Sequence, residues 1–162
     1  MPSPSKSSWT VAILAILLIY SIYVVISTSS IAFKVYLVSR HFSVEILEAA
    51  IVVEDNSTSI SIRYVLWNPI DVELRILSIQ SIGYSRGAYI WTNTKTHLSP
   101  IKIKSDSFID DVVFEIPSSR IQLLSEVVSI RTFILIEITQ PTSYRVLLHF
   151  YFANVNLSWR EH

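Results

Sequence analysis

The pattern of hydrophobic and polar positions changes period once, near residue 40, and divides the chain into two unlike parts. Residues 9–26 read WTVAILAILLIYSIYVVI, apolar all round, with Thr10 and Ser21 the only clearly polar members. At about 1.5 Å per residue this stretch makes about 27 Å of helix, close to the roughly 30 Å hydrocarbon core of a bilayer. No charge falls between Trp9 and Phe33, so the run continues through Ser27, Thr28, Ser29 and Ser30. Their hydroxyls can bond back to helix carbonyls, which makes them tolerable in lipid. The expectation is a tail at residues 1–8, a transmembrane signal anchor at 9–33 and a juxtamembrane linker at 34–42. A buried core helix would be shorter or show a polar face. A cleavable signal peptide is the other alternative: Ser27-Thr28-Ser29 offers small residues for a cut, but the apolar stretch is long for that class and only Lys6 precedes it.

Beyond Arg40 the period becomes two. Residues 43–54 (SVEILEAAIVVE) suit a long strand, although 44–48 could also begin a helix. After a polar turn at Glu54-Asp55-Asn56-Ser57, residues 59–66 place Ile60, Ile62, Tyr64 and Leu66 on one face and Ser59, Ser61, Arg63 and Val65 on the other. Asn68-Pro69 ends that strand, because proline has no amide proton for the ladder. Further strands are expected at 72–76, 77–82, 88–92, 99–104, 108–116, 130–139 and 144–155, with a turn at Ser85-Arg86-Gly87 and a hairpin turn at Gln140-Pro141-Thr142-Ser143. Pro117-Ser118-Ser119 opens a helix of about two turns ending near Glu126, the only helix signal past the anchor. Seven to eight short strands without helical crossovers predict an all-β domain, an antiparallel β-sandwich of immunoglobulin-like type with one short helix, over residues 43–156. Residues 157–162 read as a C-terminal tail.

The features across residues 64–91 follow a recognisable order. An alternating strand ends in Asn68-Pro69; a second carries Val72, Leu74 and Ile76; Ile82-Gly83-Tyr84 follows, then Gly87 and Tyr89-Ile90-Trp91. This resembles the water-stress and hypersensitive-response domain of the late embryogenesis abundant type-two family, over roughly residues 43–156. Ile70 and Asp71 depart from it, standing where that family often has small or aromatic turn residues. The resemblance implies a compact β-sandwich, often behind a membrane helix, with no known catalytic site and no defined ligand. An archaeal pilin-type subunit is similar in general plan, but the basic–small cleavage pair expected before its helix is missing, since Lys6 is followed by Ser7-Ser8-Trp9.

Composition removes whole classes of chemistry. With no cysteine, disulfides, thiolate metal sites and a cysteine nucleophile are excluded. Thirteen basic residues balance thirteen acidic ones without a basic stripe, so nucleic acid is not an expected partner. Two glycines, Gly83 and Gly87, cannot write a phosphate loop or dinucleotide turn. His41, His97, His149 and His162 lack metal-ligand spacing. Asp110 and Asp111, adjacent in a strand, point to opposite faces and cannot share acid–base work. The oxygen-rich Glu54-Asp55-Asn56 lacks the spaced series of a calcium loop, and no Gly-x-Ser-x-Gly elbow supplies a serine nucleophile. No catalytic residue, metal or cofactor is expected.

What remains is interaction. Tyr84, Tyr89 and Trp91 are expected near one edge, as core filling or as an interaction surface. Lys6 before the helix nearly balances Lys34 and Arg40 after it, so the positive-inside rule decides little. The acceptor triplets at Asn56 and Asn156 suit glycosylation on an exported face, and the β domain is expected to be extracytoplasmic. The sequence therefore predicts a non-catalytic, single-pass membrane protein in structural support or protein interaction. Its partners are the lipid bilayer and either a protein or further copies of itself. A filament, pilin-like or surface-layer subunit, or an accessory subunit of a membrane enzyme complex, are the alternatives.

Overall fold

The computed structural model describes residues 6–54, 57–139 and 143–161. Uncharged and apolar on every side, the N-terminal run forms one unbroken helix, α1 (Lys6–His41), with the stretch expected as a linker continuing it to its last turn. After Phe42 the alternating segments become strands: β1 (Ser43–Glu54), β2 (Ser57–Asn68), β3 (Leu74–Ser85), β4 (Ala88–Ile103) and β5 (Asp106–Glu115). A single helical turn, α2 (Ser118–Ile121), leads to β6 (Val127–Ile138), β7 (Tyr144–Asn156) and β8 (Ser158–Glu161). The expected hairpin turn at 140–143 and the polar turn at 54–57 fall largely outside the described residues.

The strands make two four-stranded sheets, ordered β5-β2-β1-β8 and β4-β3-β6-β7. Every pairing is antiparallel except β1 with β8. Isoleucine dominates the facing surfaces: Ile60, Ile62, Ile76, Ile79, Ile130, Ile134 and Ile136 are fully buried. β-Branched side chains suit a pleated surface, and each is worth about 1.5–3 kcal/mol when taken fully out of water. One polar contact crosses the core, where the Tyr64 hydroxyl on β2 lies 3.1 Å from Thr132 Oγ1 on β6. It gives both buried hydroxyls a partner.

Four sequence expectations need correcting. The strands expected at 72–76 and 77–82 are one strand, β3, which begins at Leu74, and a bulge at Leu77 absorbs the break in alternation. Residues 88–92 and 99–104 likewise fuse into β4, whose ladder with β3 skips from Thr96 to Ile101. Pro100 lies in that skipped stretch, where the missing amide proton costs no ladder bond. The tail expected after residue 156 contains β8, which pairs with Ala50, Ile51, Val52 and Val53 of β1. The helix expected to reach Glu126 stops after one turn.

The last third of α1 belongs to the domain. Val38 and the following Phe42 are buried in the core, Val35 packs against it, and Phe42 meets Phe150 of β7 at 6.2 Å between ring centres. Positions 27, 30, 31, 34, 35 and 38 are at least partly covered, a stripe at helical spacing. Residues 9–26 have no such stripe and are exposed all round.

Candidate functional site

The family-type turn residues act as architecture. Asn68 is fully buried, and its Nδ2 donates to the carbonyls of Val72 at 2.8 Å and Ile103 at 3.2 Å. It thus ties the β2–β3 loop, which exposed Pro69 opens, to the end of β4. Arg86 and Gly87 both have positive φ, 49° and 80°, the paired left-handed conformation of a two-residue hairpin turn between β3 and β4. Gly83 faces Trp91 across the ladder, and a Cβ there would fall 2.1 Å from the indole ring. Only glycine leaves room for that indole.

This close approach divides the three aromatics between core filling and an outer surface. Trp91 is 1% exposed and belongs to the core, whereas Tyr89 is 38% exposed and Tyr84 half-buried on the outer face. The two tyrosines are partners in the β3–β4 register and stand edge to face at 6.3 Å. Arginines bracket them. The Arg120 guanidinium of α2 lies 4.2 Å over the Tyr89 ring while its Nη1 donates to the Tyr89 carbonyl at 2.9 Å. Arg131 of β6 lies 5.3 Å over Tyr84. The result is a row, Arg120–Tyr89–Tyr84–Arg131, beside the turn that exposes Arg86. Among the described residues these three arginines enter no ion pair with a carboxylate. Stacking on rings leaves guanidinium edges free to donate, an arrangement suited to a carboxylate-bearing or otherwise anionic partner. The arginines escaped the sequence reading because they lie 31 and 47 positions beyond their tyrosines and meet them only through the β3–β6 register and the α2 turn.

A second polar cluster joins edge strand β4 to edge strand β5 of the other sheet. Asp110 points inward from β5, and Asp111 outward, as alternation requires. Lys95 Nζ lies 2.5 Å from Asp110 Oδ1 and also donates to the Asp111 carbonyl at 2.7 Å. His97 Nε2 is 3.2 Å from Asp110 Oδ2, close enough for an ion pair but not aligned for a hydrogen bond. Burial pushes the His97 imidazole below its ordinary pKa, against the pull of Asp110 toward the protonated form. Outside, Arg63 donates from Nε to Asp111 Oδ1 at 2.7 Å; this bond holds the Asp111 carboxyl below its usual range. Edge strands β4 and β5 thus contribute to one clasp joining the two sheets. An inward charge on an edge strand also discourages further strand pairing.

The other candidates disperse. His149 stacks on Phe133 at 4.6 Å on an outer sheet face, His41 is exposed at the end of α1, and His162 lies outside the described residues. Among the described residues no three His, Asp or Glu side chains converge as a metal site. Asn156 is exposed at the end of β7, while Asn56 lies outside the described residues. A cleft of about 600 Å³ runs between β1 and β7, lined by residues that include Glu45, Leu47, Tyr151 and Asn154.

No family model matches the chain, and no curated protein matches it. Solved structures do. A crystal structure of a protein from Archaeoglobus fulgidus is 17% identical with a TM-score of 0.43, covering 70% of this chain and 98% of that one. A solution structure of a protein from Arabidopsis thaliana is 14% identical with a TM-score of 0.47, covering 73% and 87%. A candidate late embryogenesis abundant (LEA) protein is 14% identical with a TM-score of 0.42, covering 92% and 87%. Similarity at this level identifies no ligand and no shared site.

The geometry therefore offers two built features outside the core, and they differ in kind. The Lys95–Asp110–His97 clasp spends its polar groups on one another. The arginine–tyrosine row presents its groups outward, at the end of the sandwich opposite the loops that meet α1.

Proposed function

We propose that this chain is a single-pass membrane protein whose β-sandwich holds an arginine–tyrosine surface away from the bilayer for a protein partner, without catalysing a reaction. The observation that carries the reading is the contrast along α1. Residues 9–26, a predominantly apolar stretch, are exposed all round, a state that water penalises and hydrocarbon accepts. The helix is one long, apolar element at the N-terminus, long enough to cross a bilayer. The far end of the domain carries Arg86, Tyr84, Tyr89, Arg120 and Arg131. Because β3 runs from Leu74, near the α1 junction, to Ser85, the strand length separates this surface from the membrane side. The sequon at Asn156 favours an extracytoplasmic domain. The resemblance to LEA-type domains agrees with a structural or interaction role.

Protease protection together with crosslinking tests both halves of the proposal. In sealed vesicles of known orientation the domain is cut from one side only, and carbonate extraction leaves the full chain with the lipid. A photo-crosslinker at Tyr89 captures a partner that is lost in Arg120→Ala/Arg131→Ala. Release by carbonate would sink the anchor, and unchanged capture by the double variant would sink the surface.

A further inference from the structure

Trp9–His41 is a helix longer than the bilayer core, and its last turns pack Val35 and Val38 against the sandwich. Between α1 and the first residue of β7 runs an open groove of about 500 Å³, lined by Thr28, Ile31, Ala32, Val35, Tyr36 and Tyr144. Its walls are almost entirely apolar. The hydroxyl of Thr28 is already bonded to the Val24 carbonyl at 2.8 Å, so it asks nothing of an occupant. Tyr36 and Tyr144 are 57% and 49% exposed at its rim, and Phe33 beside it is 60% exposed.

Distance along the helix indicates what covers this groove. From Trp9 to Tyr36 the rise is about 40 Å, which matches the roughly 40–45 Å of a bilayer with its headgroup layers. The charge-free stretch ends at Phe33, and about 30 Å back from there lies Ile13, so residues 13–33 fit the hydrocarbon core. Trp9 then occupies one headgroup layer, and Tyr36 with Tyr144 the other, where aromatic rings with polar tips concentrate. At the Lys34 level the pocket shared by Asp71, Glu73, Lys104 and Thr139 brings the sandwich loops to the same depth.

We propose that the groove receives an acyl chain of a bilayer lipid, so that the membrane surface lies level with Tyr36 and Tyr144 and the near end of the sandwich rests in the headgroup layer. This deepens the membrane-anchored reading and rests on it. A second copy of the chain is the competing cover. The lipid is favoured because the groove follows the exposed apolar surface of residues 9–26 on the same helix with no charged residue between them.

The chain has no cysteine, so single spin labels can be placed cleanly in the full-length protein in phosphatidylcholine nanodiscs. The positions are Ile16→Cys, Ala32→Cys, Tyr144→Cys and Arg86→Cys, and the readout is collision with oxygen against a water-soluble nickel chelate. The expected oxygen-to-nickel ratio is several-fold higher at 16 and 32 than at 86, with 144 in between. If 32 and 144 collide with nickel as freely as 86 while 16 does not, the groove is aqueous and the proposal is overturned with the anchor intact. If 16 also matches 86, the anchor itself fails. Label–label broadening at 32, with protection from both reagents, would assign the groove to a second copy and overturn the lipid. Should Tyr144→Cys fold poorly, a phosphatidylcholine with a photoactivatable acyl chain gives the same answer on the unaltered protein. Labelling of the Tyr144 peptide supports the proposal; labelling confined to residues 9–26 overturns it.

Discussion

Two stretches of one helix meet opposite fates. Residues 9–26 and residues 27–41 are continuous, share α-helical geometry and lie on the same axis. The first stretch is apolar on all sides and exposed along its whole length. The second mixes polar and apolar positions and buries a stripe that ends in Val38 and Phe42 inside the core. The difference teaches that hydrophobicity alone does not define a core residue. What matters is whether the apolar surface is one-sided, and so matched to a protein partner, or all-round, and so matched only to a solvent that is itself apolar.

Removing the first stretch is the largest perturbation. A chain beginning at Ser27 should move wholly from the membrane to the soluble fraction while keeping its β-rich circular dichroism; residual membrane binding would place a second anchor in the sandwich. Alanine substitutions sharpen the contrast next. Phe42→Ala should cost about 3–5 kcal/mol of sandwich stability, because a buried aromatic leaves a cavity. Leu17→Ala should leave that stability unchanged. Urea titration of both variants followed by domain fluorescence would expose the comparison as empty if the two losses were alike. Charge comes third. Ile22→Lys should reduce insertion by about 2.5–3.5 kcal/mol in a translocation assay, the cost of a charge at the helix centre. Tyr36→Lys, at the headgroup level, should insert like the parent.

The same contrast explains what the sequence made legible. The long apolar helix could be read because its signal is a composition, and composition needs no partner. Most strands could be read because alternation is local, and two-sheet architecture follows from many such strands without crossovers. Features made by pairing across distance were hidden. Four residues, Ser158 to Glu161, are too few to display a period, and β8 exists because β1 offers them an edge. Whether Trp91 fills the core or a surface stays open in the sequence because its burial depends on Gly83 across the ladder. An isolated glycine within a strand is, however, a general mark of close approach, and that signal was available. Of the site, the two tyrosines were visible and their arginines were not, since α2 and β6 deliver Arg120 and Arg131 from remote sequence.

The comparison also predicts where mild acid acts. Residues 9–33 carry no charged side chain, so membrane partitioning should not change between pH 7.5 and 5.5. The sandwich should respond, through His97. Its imidazole is held below the ordinary value by burial, with Asp110 opposing and Lys95 assisting. In the unfolded chain it titrates near about 6.5. Below that pH the unfolded state takes up a proton that the folded state still refuses, so stability falls as pH drops through about 6.5 and levels off once the folded-state value is passed. The loss is smaller than that of Phe42→Ala because Asp110 offsets part of the burial cost. His97→Gln removes the titrating group and should flatten the stability profile over this window, leaving acid sensitivity only where carboxylates such as Asp111 protonate, below about 4. Denaturant midpoints of both proteins at pH 7.5, 6.5 and 5.5 decide it, and parallel profiles would mean that the clasp at the sheet edge is not what senses protons.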